Sequence, residues 1–283
     1  MDKKLQEKFI QKITGLSKEQ LFLNKPELSL KEQEKLNEYI SRYNKWEPIE
    51  YILELSDFYS LEFFVDKRVL IPRNDTELLV EKVIDELSKF NTKTLMIDIW
   101  TWSSCIPISV MKNLPNPFLI EELVNCYAID ISNDALEVAE INIKNHLLES
   151  KIKLIHWDLL KPFLLDTSFL SKDESIGFHS IIITANLPYI KNNDFWNMDN
   201  ETIEFEPDLA LYWWENTWFE LYESLIYECL ELTCVYNLRN LILFIEIGFD
   251  QNQVAESFLK QIWLKFEFFK DANKIDRVIK IIF

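Results

Sequence analysis

The sequence predicts an α/β fold: a seven-stranded, mostly parallel sheet covered by helices on both faces, preceded by a small helical domain. Three observations carry this. From residue 94 onward, short apolar runs rich in β-branched residues alternate with amphipathic stretches of helical period. The first three runs each lead into an aspartate, Asp98, Asp130 and Asp158. The last two runs, FEFF and RVIKIIF, are joined by a short polar loop, as in an antiparallel hairpin at a sheet edge.

In chain order, residues 1–46 read as helices, and KEQEKLNEYISRY sets Leu36, Tyr39, Ile40 and Tyr43 on one face. Residues 47–73, EPIEYILELSDFYSLEFFVDKRVLIPR, are dense in β-branched and aromatic residues with Ser-Asp and Asp-Lys breaks, which predicts a β-hairpin linker. Residues 74–283 form the second domain. Thr76 is expected to cap the helix TELLVEKVIDELSKF, with Leu79, Val83 and Leu87 facing inward. TLMIDI is the first strand, and a helix runs from Ser104 to Met111. VNCYAID is the second strand, after which Ser132 caps ALEVAEINIKNHLL. KIKLIHWD and FHSIIITAN are the third and fourth strands. A long helix then covers Phe219–Val235, LILFIEI is the fifth strand, and a helix starts at Asp250.

Composition excludes several classes. The 283 residues are 48% hydrophobic and 27% charged, enough to bury a large core in a soluble globular protein. No apolar run reaches the roughly 18–20 residues of a membrane span. The opening MDKKLQEKFIQKITG shows charge alternating with apolar residues and no signal-peptide core, so a cytoplasmic location is expected. A net charge of -17 opposes stable binding to a nucleic-acid backbone, which needs clustered Lys and Arg. Cys105, Cys126, Cys229 and Cys234 form no CxxC pair and read as free thiols. His146, His156 and His179 show no metal-ligand spacing, and no metal is expected.

Two motifs carry chemistry. Ligands of open parallel sheets bind outside the carboxyl ends of the strands, where the three aspartates fall, and a carboxylate ending the second strand is suited to ribose hydroxyls. The fourth strand ends in Asn186-Leu187-Pro188-Tyr189. Its amide can both donate to and accept from a planar NH2 group, Pro188 stiffens the loop, and Tyr189 offers a flat face.

One stretch is out of place. IDIWTWSSCIPIS runs from a strand through a short loop into a helix, a junction where glycine lets a cofactor approach the backbone. Here the loop carries Trp100 and Trp102. The whole chain has 3 Gly and 9 Trp, whereas average usage gives about 20 glycines in this length.

From about Leu16 to the C-terminus the sequence resembles the release-factor glutamine methyltransferases. EPIEYI and VLIPRNDTELLVE look like that family's GEPIQYI and LIPRPETE segments, and IDIWTWSSCIPIS like its LDLGTGSGCIAIS. AIDISNDALEVAEINIKNH, ANLPYI and FEPDLALYWWENTWFELYESLI match later blocks. The resemblance implies a Rossmann-like domain that uses S-adenosyl-L-methionine (AdoMet). The implied reaction methylates the side-chain amide nitrogen of the GGQ-motif glutamine in peptide-chain release factors, with no metal and no covalent intermediate. It further implies that Asn186 and the Leu187 carbonyl hold the amide hydrogens, with Pro188 and Tyr189 completing the catalytic loop. Asp98, Trp100, Thr101, Trp102, Ser103 and Ser104 would line the methionine side of AdoMet, Asp130 the ribose, and Asp158 and Leu159 the adenine. Arg73, Thr76 and Glu77 would border the substrate entrance, and the protein is expected to be monomeric.

In this alignment Trp100 and Trp102 fall on the two loop glycines, Trp46 on the glycine of GEPI, and Trp157 on a frequent glycine of GDLL. Trp213, Trp214 and Trp218 fall on a GGEDG-like loop, and Trp263 on a helix C-cap glycine. The expected cause is a gene whose UGA codons specify glycine but are rendered as tryptophan. Leu187 replaces the usual first proline of Asn-Pro-Pro-Tyr. Two rival readings share parts of the pattern. One is an adenine-N6 methyltransferase, opposed by the acidic charge and the LIPR segment. The other is a catalytically dead protein that docks a release factor.

Overall fold

The computed structural model describes residues 2–24, 27–90, 94–115, 124–166, 180–188, 205–207, 219–236, 238 and 240–283. Helices α1 (Lys3–Thr14), α2 (Lys18–Asn24) and α3 (Leu30–Tyr43) come first, followed by the short α4 (Ile49–Leu53). Ser29 begins α3 with a reciprocal capping box to Glu32. Leu5 and Phe9 of α1, Leu36 and Tyr39 of α3, and Ile52 and Leu53 of α4 form a separate small core, with Ile40 and Tyr43 packed on it. That core therefore extends past residue 46. EPIEYIL had been expected to be extended, but it turns into α4, and Tyr51 faces the main core and donates its hydroxyl to the Val69 carbonyl. The two strands within 47–73 are β1 (Ser56–Phe58) and β2 (Leu61–Phe63), an antiparallel pair.

The main sheet contains β3 (Thr94–Ile99), β4 (Val124–Asp130), β5 (Ile152–His156), β6 (Ser180–Ala185), β7 (Leu241–Glu246), β8 (Lys265–Lys270) and β9 (Asp276–Ile282). Their order is β5-β4-β3-β6-β7-β9-β8. The first five are parallel, and β9 runs antiparallel between β7 and β8. Strands β3, β6 and β7 are buried at every position, which is why they read as unbroken apolar runs. The helices are α5 (Thr76–Leu87), α6 (Cys105–Asn113), α7 (Asn133–Asn145), α8 (Lys161–Leu165), α9 (Glu220–Tyr236) and α10 (Asn252–Gln261). Leu79, Val83 and Leu87 of α5 are buried as expected. Ser132 caps α7 through the Ala135 N–H. Thr76, however, is not the cap of α5: it is the first helical residue, following Asp75, and its hydroxyl serves the site instead. No helix among the described residues is long and apolar enough to cross a membrane.

The order in which strands are added reverses at β3: β4 and β5 lie on one side of it, β6 and β7 on the other. At such a switch point the connections leaving the carboxyl ends of adjacent strands run to opposite sides, and the crevice outside those ends can take a ligand.

Candidate active site

The loop after β3 is fixed by hydrogen bonds that its sequence supplies. Asp98, fully buried, accepts from the hydroxyls of Thr101 (2.6 Å) and of Thr184 on β6 (2.5 Å). Burial is the main reason its carboxyl rises to about 7, against the lowering effect of those two hydroxyls. The Thr101 N–H reaches the Ile129 carbonyl of β4, and the Ser104 N–H turns back to the Thr101 carbonyl. Asp98 thus pins the loop between two strands. Asp130, at the end of β4, is also fully buried, and its oxygens accept from the backbone N–H groups of Trp102 and Ser132, both at 2.9 Å. Burial again raises its carboxyl, to about 6.

The third aspartate is less regular than its sequence position promised. Strand β5 stops at His156, so Asp158 lies in the turn beyond it, paired with Lys161, while Leu159 is buried with φ 49°.

Asn186 and Leu187 leave the end of β6, both nearly buried. The Asn186 side chain donates its Nδ2 hydrogen to Thr76 Oγ1 at 3.2 Å, which sets Oδ1 as the end available to an incoming donor. The Leu187 N–H donates to the Tyr222 hydroxyl of α9 at 3.2 Å, and that hydroxyl donates to the Glu246 carbonyl at the end of β7. Pro188 is buried, and Tyr189 lies outside the described residues. Of the three entrance residues, only Thr76 bonds to Asn186. Arg73 pairs with buried Glu206 at 2.5 Å, and Glu77 accepts the Tyr59 N–H of the hairpin turn. Arg73 and Glu206 border a cavity of about 440 Å³ that Trp46, Pro48 and Ile49 also line.

Sequence reasoning missed Tyr222, Glu206 and Asn142. The last is buried on α7, accepts the Phe64 N–H, and donates to the carbonyls of Phe64 and Ser103, so it ties the exit of the hairpin to the loop after β3. One signal was available: an amide among Ala135, Val138, Ala139 and Ile143 on the buried face of α7.

The tryptophans close this site. Trp100 is fully buried and Trp102 is 5% exposed, with rings edge-to-face at 5.5 Å. The Trp102 indole reaches across to the Asn186 carbonyl, with Nε1 at 3.3 Å. The donors and acceptors fit the AdoMet that the resemblance implies: a carboxylate at the end of β4 and backbone amides in the loop. The space does not fit, because the Trp102 indole spans the gap between the loop and the segment after β6 while Asp130 is shut away from any sugar hydroxyl. The backbone is equally at odds with the residues. Trp46 (φ 67°), Trp100 (56°), Trp102 (51°) and Trp263 (61°) all lie in the left-handed region, at about 1–2 kcal/mol each for a side chain bearing Cβ.

This sheet order, with an antiparallel β9 inside the edge and a carboxylate and an amide at the switch point, is the Rossmann-like fold of the methyltransferases. Comparison with known proteins agrees. The catalytic domain of human METTL16, solved with a MAT2A 3'UTR hairpin, superimposes with a TM-score of 0.54 at 15% identity, over 79% of this chain and 76% of that one. The release factor glutamine methyltransferase of Mycoplasma mycoides is 34% identical over 248 residues, covering 87% of this chain and 80% of that protein. A relative named bifunctional methyltransferase in Rickettsia bellii is 32% identical over 283 residues, and the chain spans about half its length (46%). No protein-family model matches the chain. The chain belongs to the release factor glutamine methyltransferase family.

Proposed function

We propose that this protein methylates the side-chain amide nitrogen of a glutamine, that of the GGQ motif in peptide-chain release factors, with AdoMet as methyl donor. The observation that carries this is the paired anchoring of the segment after β6: Asn186 held by Thr76 on one side, Leu187 held by Tyr222 on the other. An amide nitrogen is a poor nucleophile because its lone pair is delocalised into the carbonyl. Two acceptors at fixed positions, Asn186 Oδ1 and the Leu187 carbonyl, would take its two hydrogens and hold the nitrogen in one orientation, which is where rate comes from when no stronger base is at hand. Thr76 sets the amide of Asn186 the right way round for this, since it occupies the donor end. With tryptophan at 100 and 102 the donor half of the site is closed, so the described side chains build the acceptor half only.

The closed loop favours a second reading, a docking protein without turnover. One experiment separates these and the adenine alternative. The Trp100→Gly/Trp102→Gly protein is incubated with methyl-labelled AdoMet, a release factor and DNA. Label on the GGQ peptide is expected. Label in nucleic acid alone overturns the substrate, and no AdoMet binding by the glycine-bearing protein supports the docking reading.

A further inference from the structure

Two of the four left-handed tryptophans sit outside the site, and they are the more telling pair. Trp263 follows α10: its own N–H bonds the Lys260 carbonyl while the Leu264 N–H reaches back to the Leu259 carbonyl. Trp46 follows α3 with the same pair of bonds, Trp46 N–H to Tyr43 and Glu47 N–H to Arg42. This is the Schellman closure of a helix, whose left-handed position glycine fills because it has no Cβ. Trp263 is 92% exposed, so its side chain gives no reason for tryptophan there, and Trp46, which lines the cavity beside Arg73, is still 63% exposed. The chain's own Gly15 ends α1 in the same left-handed conformation, at φ 68°.

Trp100 and Trp102 meet the same backbone requirement inside the site. Four of the five tryptophans among the described residues (46, 100, 102, 157 and 263) thus occupy backbone that L side chains rarely adopt, and Trp157 alone does not. Relief of strain at surface helix ends and of crowding at a ligand loop are unrelated demands. One substitution, glycine for tryptophan, meets both.

We infer that the protein as made in its own cell carries glycine at positions 46, 100, 102 and 263, encoded by UGA. That codon means tryptophan in one variant genetic code and glycine in another, so a single decoding difference replaces glycine by tryptophan at scattered sites. With glycine there, the left-handed turns are unstrained, and the Trp102 indole, with Trp100 packed on it, no longer fills the space between Asp130 and Asn186. The switch point is then open to a nucleoside ligand bearing ribose hydroxyls.

The test is peptide sequencing by mass spectrometry of the protein isolated from its source cells, with the gene's codons read alongside. Expected are UGA codons and peptides lighter by an indolylmethyl group at all four positions. Tryptophan in the native peptides at 100 or 102, or UGG codons there, overturns the inference. In a second arm, calorimetry compares AdoMet binding by the tryptophan chain and by Trp100→Gly/Trp102→Gly. A gain of at least 100-fold in affinity is expected for the double variant, and tight binding by the tryptophan chain overturns the account of a blocked site. The peptide arm is independent of the proposed function, so failure of either idea is visible separately.

Discussion

Replacing tryptophan by glycine has opposite effects on stability at two positions that share a backbone conformation. At Trp263 the left-handed residue costs about 1–2 kcal/mol with a Cβ and little without. The burial given up is small. With 92% of the residue exposed, under a tenth of an indole's roughly 250 Å² is lost, about 0.5 kcal/mol at 25 cal/mol per Å². The net gain for Trp263→Gly is therefore about 1 kcal/mol. At Trp100 the strain relief is the same, but a fully buried indole is deleted, and large-to-small changes of buried aromatics cost about 3–5 kcal/mol. Trp100→Gly, free of ligand, is expected to lose about 2 kcal/mol. Urea unfolding followed by far-UV circular dichroism measures both, with midpoints compared at an unchanged slope. A lowered midpoint for Trp263→Gly, or a raised one for Trp100→Gly, would refute the division between backbone strain and burial.

Further outcomes follow from the acceptor half of the site and from its buried carboxylates. In the Trp100→Gly/Trp102→Gly protein, Asn186→Ala is expected to lower turnover about 100-fold or more while AdoMet affinity by calorimetry changes little. Tyr222→Phe keeps the ring but removes the acceptor of the Leu187 N–H, so a stability loss of about 1–3 kcal/mol and slower turnover are expected in denaturation and rate assays. Burial raises Asp98 to about 7, and Asp130 and Glu228 (on α9, accepting the Leu160 N–H) to about 6, and Glu206 is raised as well. In the folded state these groups keep protons that the unfolded chain has released, so their contribution to stability is complete below about pH 4 and is lost as pH rises to about 7. Unfolding midpoints taken at pH 5, 6 and 7 should fall in that order, and a steady rise would contradict the sign.

The sheet was legible because its central strands are buried on both faces and so leave unbroken apolar runs such as TLMIDI and LILFIE. Helix α4 was not, since five residues span little more than one turn and EPIEYIL carries as many β-formers as helix-formers. Asp98, Asp130 and Asn186 were found because each sits at or next to the end of a strand, a local position that sequence can show. Their supports were invisible for the opposite reason. Tyr222 lies 35 residues from Leu187, and Asn142 lies 78 from Phe64, so those pairings exist only once the sheet has brought the segments together. Thr76 had been singled out as a cap and an entrance residue. What it touches, the Asn186 amide 110 residues away, could be learned only from the fold. The expectation of glycine at these positions came from the resemblance, and the helix-end bonds around Trp46 and Trp263 support it on grounds that owe nothing to relatives.

The Asn142 side chain joins two stretches of chain that have different surroundings. One is Phe64, at the exit of the hairpin that follows the small helical core; the other is Ser103, beside the carboxylate of Asp130. A single buried amide cannot turn to suit one of them without releasing the other. A shift of the hairpin exit would therefore strain the bond to Ser103, and a reshaped loop would strain the bonds to Phe64. By linkage, any free energy that a loop ligand spent in straining these bonds would be returned to a hairpin held in the matching conformation.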